Sequence, residues 1–269
     1  MDLHESFALD VARAFVARLD FGEFALPADD VAPPDLVFDA AKQQSVLVGS
    51  DVVSFDTGVE ADFREAASNC ALLAQLAADK ATSADADPMA WFDSYFSVLA
   101  HLGWVVQERD TASYQLGQDG LEVHQAILDV VSAFLGPVAP AALELVKLAL
   151  VSLQTMDAAS PFITLFKRQT QHAKIGRVQF TAIHDAGNGG LLAEAMAFGL
   201  NADAQVTQIL FFKLHNDHTL LRRSLGRLSL NRMAIQALAP QIKAKVLPFM
   251  ASYVDALDIG TPPTPTPTT

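Results

Sequence analysis

The residues best able to do chemistry in this chain are a few histidines, one cysteine and a run of arginines. His215-Asn216-Asp217-His218 sets two imidazoles around a two-residue turn. If that turn closes a hairpin, His215 and His218 face each other across the strand ends. With Asp217 they would begin a metal site or a protonation switch. A third ligand has to come from elsewhere, and His184-Asp185 is the available pair. The same residues also suit an ordinary polar turn.

Cys70 is the single cysteine, so no intrachain disulfide can form. It falls on the apolar side of a helix among alanines and leucines, where a thiol behaves as a small hydrophobe. A nucleophilic thiol needs a base to lower its pKa, and no histidine lies nearby in sequence. Acylation of Cys70 would add a lipid to an already apolar surface. Arg222, Arg223 and Arg227, with Lys213 on the preceding strand, form the strongest basic patch. It suits phosphate headgroups or an acidic partner, and charge on an edge strand also blocks unwanted sheet pairing. Gly187-Asn188-Gly189-Gly190 lacks the Lys-Ser/Thr of a phosphate loop and precedes a strand, so it reads as a hairpin turn. GxSxG, HExxH, CxxC and GxGxxG are all missing. No reaction is specified, and no cofactor is expected.

The elements that must position these residues surround Leu121 to Met156, the most apolar stretch, broken once at Gly136-Pro137. Past Glu122 it carries only Asp129, Glu144 and Lys147 as charges, and the last two are three apart on one helical face. The pattern predicts a helical hairpin with Leu128, Val131, Phe134, Leu135, Leu145 and Leu148 as its apolar contacts. Val138 to Thr155 approaches the roughly 20 residues needed to cross a hydrocarbon core, whereas 121–135 is too short. Three uses fit: the centre of a soluble core, a membrane-inserting segment of the kind some soluble toxins keep hidden, or the lining of a cavity for a lipid or fatty acid.

Around the hairpin, residues 4–19 predict an amphipathic helix with Phe7, Val11, Phe15 and Leu19 inward. Gln44 to Phe55 reads as a short hairpin bent at Gly49-Ser50. A helix follows over 59–81, with Thr57 as N-cap and a stripe of Val59, Phe63, Ala66, Cys70, Leu73 and Ala77. Pro88 opens another over 88–102, with Trp91, Tyr95, Val98, Leu99 and Leu102 on one side. Trp104 to Leu116 suggests two short strands around a turn at Arg109 to Thr111, which a winged-helix domain would use as its wing. The acidity of this region excludes that fold. A basic helix over 160–171 leads to four strands, near 175–183, 191–200, 206–215 and 218–228, which predict an antiparallel meander. A last helix over 232–257 contains Pro240 and Pro248, and residues 259–269 form a disordered Thr/Pro tail.

The net charge of −13 conceals a division. Residues 1–159 hold 7 Lys/Arg against 25 Asp/Glu, and residues 160–245 hold 11 against 4. Such halves complement each other within one fold or offer opposite faces to partners, and overall acidity argues against nucleic acid. The N-terminus lacks the n-region and h-region of a secretory signal, so a cytoplasmic product is expected, with export by a route without a cleavable signal left open.

The expectation is a single α+β domain over 1–258: a mostly helical N-terminal portion, a central apolar helical hairpin, a four-stranded antiparallel meander and a C-terminal helix. The function expected is a non-enzymatic effector that interacts with membranes or binds a fatty-acyl-like ligand through 121–156. Alternatives are an assembly protein docking a protein partner, and an enzyme with a site around His184, His215 and His218.

Overall fold

The computed structural model describes residues 3–21, 36–82, 87–115, 123–137, 139–157, 161–172, 175–186, 190–201 and 220–257. The chain begins with α1 (Leu3–Arg18), followed by β1 (Gln44–Val48) and β2 (Asp51–Phe55). These two strands form the expected hairpin, turning at Gly49, whose φ of +57° costs glycine little. Next come α2 (Ala61–Ala81), α3 (Pro88–His101) and β3 (Trp104–Gln115). Then follow α4 (Val123–Leu135), α5 (Pro140–Thr155), α6 (Pro161–Thr170) and a two-residue β4 (Gln171–His172). The chain continues through β5 (Ile175–Asp185), β6 (Leu191–Asn201), β7 (Leu220–Leu230) and α7 (Arg232–Val246). A single 3-10 turn over Leu247–Phe249 leads to α8 (Met250–Tyr253) and β8 (Val254–Leu257).

The described strands form one eight-stranded mixed sheet in the order β3-β7-β6-β5-β2-β1-β8, with β4 beside β5. β2 and β5 run parallel, and the other described pairs are antiparallel. Side chains alternate across the sheet, so each face carries its own core. On one face α2, α3 and α7 cover Val46, Val53, Phe55, Ile183 and Leu228, with α1 packed on α7. On the other, α4, α5 and α6 cover Leu47, Val52, Val178, Phe180, Met196 and Phe198. The protein is therefore α+β, layered helix-sheet-helix.

Several expectations are corrected. The four-stranded meander is replaced by a larger mixed sheet. β7 pairs with β6 along one side and with β3 along the other, from Leu220 to Leu230. No edge of β7 remains for the third strand expected at 206–215, a segment outside the described residues. The apolar hairpin is not the centre of the core either, because that place belongs to the sheet, and α4 and α5 form one outer layer. Trp104 to Gln115 runs as one strand. Arg109, Asp110 and Thr111 lie opposite Gly226, Leu225 and Ser224 instead of turning, and Arg109 is held over the Phe96 ring at 4.9 Å.

At finer scale α2 starts later than expected, with Glu60 and not Thr57 as its N-cap. Its expected stripe is buried, but so is every residue from Ala66 to Ala78, since sheet, α3 and α7 enclose it. α1 turns Ala12 and Val16 inward and leaves Val11 47% exposed, while Phe15 stacks on His101. Phe7's side chain lies outside the described residues. Asp87 caps α3, accepting from the Met89 amide at 3.0 Å. The last helix tolerates Pro240 but ends at Val246, where Pro248 helps set the 3-10 turn.

Candidate functional site: the α4–α5 layer

The outer layer follows from the spacing of its apolar residues. In α4, Ala126, Ile127, Val131 and Leu135 recur at helical period, and in α5 Leu145, Val146, Ala149, Leu150 and Leu153 do the same. Pro140 starts α5 at a position where no amide partner is lost. All six predicted contact residues meet in one cluster. Val131, Leu135 and Leu145 are buried against the sheet, while Leu128, Phe134 and Leu148 are partly buried at its shoulders.

The outward surface of this layer is sparsely charged. Val151 is 55% exposed and Val130 half-buried. Lys147 Nζ donates to Glu144 Oε1 at 2.9 Å, and Gln125 Nε2 donates to Asp129 Oδ1 at 3.1 Å, so the charged groups are locally satisfied. No described helix is long and apolar enough to cross a membrane. α4 and α5 are 13 and 16 residues long.

The basic strand is organised against three acids of the N-terminal half, Asp87, Glu108 and Asp110, and against Glu194 of the neighbouring strand β6. Arg222 pairs with Asp87, Arg223 with Asp110 at 2.9 Å, and Arg227 with both Glu108 at 3.5 Å and Glu194 at 3.0 Å. Arg177–Asp79, Arg232–Glu60 and Lys243–Glu65 also join the two halves. Thus the opposite charges of the halves complement each other within the fold. Because β7 is an interior strand, its arginines guard no edge. Lys213 lies outside the described residues.

His184 is the penultimate residue of β5, partly exposed and opposite Leu192 of β6, and His215 and His218 lie outside the described residues. Among the described residues no group of three or more His, Cys, Asp or Glu is placed to hold a metal. Cys70 is fully buried in the α2 face of the core, and burial pushes its thiol up to about 12.

Sequence reasoning missed the polar groups inside the core. Asp51, 1% exposed, has Oδ2 accepting from Gln179 Nε2 at 2.7 Å, Thr181 Oγ1 at 2.8 Å and Tyr95 Oη at 3.4 Å. Burial outweighs these bonds and raises its carboxyl to about 7. Arg64, fully buried on α2, donates to the carbonyls of Lys42, Asp56 and Val59 and to Gln44 Oε1. Gln75 accepts from the Ser50 amide at 2.8 Å and donates to the Val48 carbonyl, clasping the β1–β2 turn. The signal for Gln75 was a lone amide within LLAQLA. Asp51 directly follows the Gly49-Ser50 turn, a position with no local sign of burial.

No family model matches the chain, and no curated protein matches it. Among solved structures it is similar to one described as delta-endotoxin, with 10% identity, a TM-score of 0.33 and coverage of 76% of this chain and 90% of that one. It is also similar to the activated Cyt2Ba monomer from Bacillus thuringiensis subsp. israelensis, with 15% identity, a TM-score of 0.37 and coverage of 66% and 97%. What this protein does has to be read from its own residues.

Proposed function

We propose that this is a non-enzymatic, membrane-interacting effector that meets lipid through the α4–α5 layer. The supporting observation is the two-sided apolar character of that layer. Its inner side chains lie on the sheet, and Val151, with Leu128, Val130, Phe134 and Leu148 at the flanks, leaves apolar surface outward. An amphipathic helix of this kind beds its apolar side at the headgroup–acyl boundary, and few charges have to be desolvated here.

Lifting the layer off the sheet in water would expose aliphatic side chains worth about 1.5–3 kcal/mol each. Acyl chains can rebury them, so a membrane offsets a cost that water does not. The outer surface then makes first contact and the inner surface follows. Packing favours this reading over a ligand cavity beneath the layer, because Val131, Leu135 and Leu145 are seated on protein.

The test is vesicle flotation with phosphatidylcholine alone and with added phosphatidylserine, at neutral and acidic pH. Val151→Asp with Leu148→Asp is expected to weaken binding about tenfold or more, since each puts a charge into the contact. Circular dichroism would establish that the variant is folded. Absence of flotation in every condition, or flotation unchanged in the variant, would overturn the proposal.

A further inference from the structure

On the opposite side of the sheet, a cleft of about 360 Å³ opens between α2, the end of α7, α8 and residues 36–38. That volume lies within the range of small-molecule sites, roughly 300–1,000 Å³. One side is apolar, built from Leu36, Phe38, Met250 and Val254. The other is a polar stripe of α2, where Asp62, Glu65 and Asn69 recur at helical spacing.

Asn69 is the informative residue. It is 3% exposed and lines the cleft, yet among the described residues its side-chain amide has no hydrogen-bond partner. Its amide is not sealed off from solvent but faces the cleft, where it can hydrogen-bond to a ligand as it would to water. Its neighbour Ser68 is already committed, donating Oγ to the Arg64 carbonyl at 2.8 Å.

The charges at the cleft restrict the ligand. Lys243 Nζ lies 2.6 Å from Glu65 Oε1, so the lining cation is already neutralised. Among the described lining residues, a carboxylate entering here would face Asp62 and Glu65 with Lys243 already paired. An asparagine side chain offers both a donor and an acceptor, which matches an amide or hydroxyl head. We propose that this cleft binds a small uncharged amphiphile, with its apolar body on Phe38, Met250 and Val254 and its hydrogen-bonding head on Asn69. The site is separate from the α4–α5 layer and does not depend on the membrane reading.

Octanamide, octanoate and octylamine share a chain and differ only in the head, and calorimetric titration of the full chain with each tests the assignment. Octanamide is expected to bind saturably at one site, with octanoate about tenfold weaker or worse. Asn69→Leu should reduce octanamide affinity about tenfold and remove the preference over octanoate. Leu36→Trp, at the half-buried rim, should block the cleft, and thermal melting would show that both variants are folded. The proposal fails if octanamide does not bind, if neither substitution alters its binding, or if octanoate or octylamine binds more tightly than the amide.

Discussion

Asp51 and Gln179 face each other across the parallel β2–β5 junction, with Gln179 Nε2 donating to Asp51 Oδ2 at 2.7 Å and Asp51 Oδ1 left without a partner. Folding therefore carries a carboxyl from water to the middle of the sheet, and that couples stability to pH. The folded carboxyl titrates at about 7 against 3.8 for the free group. Its contribution is fully present below 3.8. As pH rises, the unfolded chain releases its proton first, so stability falls through the window and levels off above about 7, a loss of up to ~4 kcal/mol. Urea unfolding near the two ends of this window should show the native protein weaker at the higher pH. In Asp51→Asn that difference should shrink. Equal slopes in the two proteins would rule the linkage out.

Arg227 is the cation for Glu194, which is 2% exposed and has Oε2 otherwise unpaired. Arg227→Met strands a buried carboxylate and should cost about 3–5 kcal/mol. The double substitution Arg227→Met/Glu194→Leu should recover much of that loss. Denaturant melts of the single and double variants measure it.

Gly49 combines a φ of +57° with a Cβ position 2.2 Å from Gln75 Oε1. Gly49→Ala must strain the turn and displace the side chain that clasps it, for a cost of about 2 kcal/mol or more. In Gln75→Ala the steric conflict disappears, so adding Gly49→Ala to that background should cost less than it does alone. A double-mutant cycle on thermal stability tests the coupling.

Most ion pairs joining the two halves are partly exposed, such as Lys243–Glu65 and Arg232–Glu60. Each is worth about 0.2–1 kcal/mol. Raising salt to about 1 M shortens the screening length to roughly 3 Å and should lower the melting temperature by only a few degrees. A collapse of the fold under those conditions would contradict this ordering of forces.

Local structure was readable wherever a local cause set it. Asp87 and Pro88 mark the start of α3, the apolar period marks α4 and α5, and Gly49-Ser50 marks the first turn. What failed was pairing over distance. β3 contains a charged triplet, Glu108-Arg109-Asp110, that resembles a turn until Arg223 and Arg227 are set beside it. Likewise the parallel contact of β2 with β5 has no local sign, because the register from Asp51↔Gln179 to Phe55↔Ile183 depends on both faces being covered by helices. The cleft was hidden for a similar reason. Asp62, Glu65 and Asn69 look like the solvated side of a helix until residues 36–38 and the turn after α7 come alongside, burying Asn69 and leaving Asp62 and Glu65 at the rim.

The long-range ladders also set an order of events during synthesis. Val48 waits for Val254, Asp51 for Gln179 and Trp104 for Leu230. Loop closure over such separations is slow. On the ribosome β1 and β2 can pair with each other at once, but their outer edges and β3 emerge well before β8, β5 and β7, with apolar side chains due for burial already exposed. The nascent chain therefore presents unpaired strand edges until β8 is made, and chaperone protection in that interval would bear on yield as much as the stability of the finished sheet.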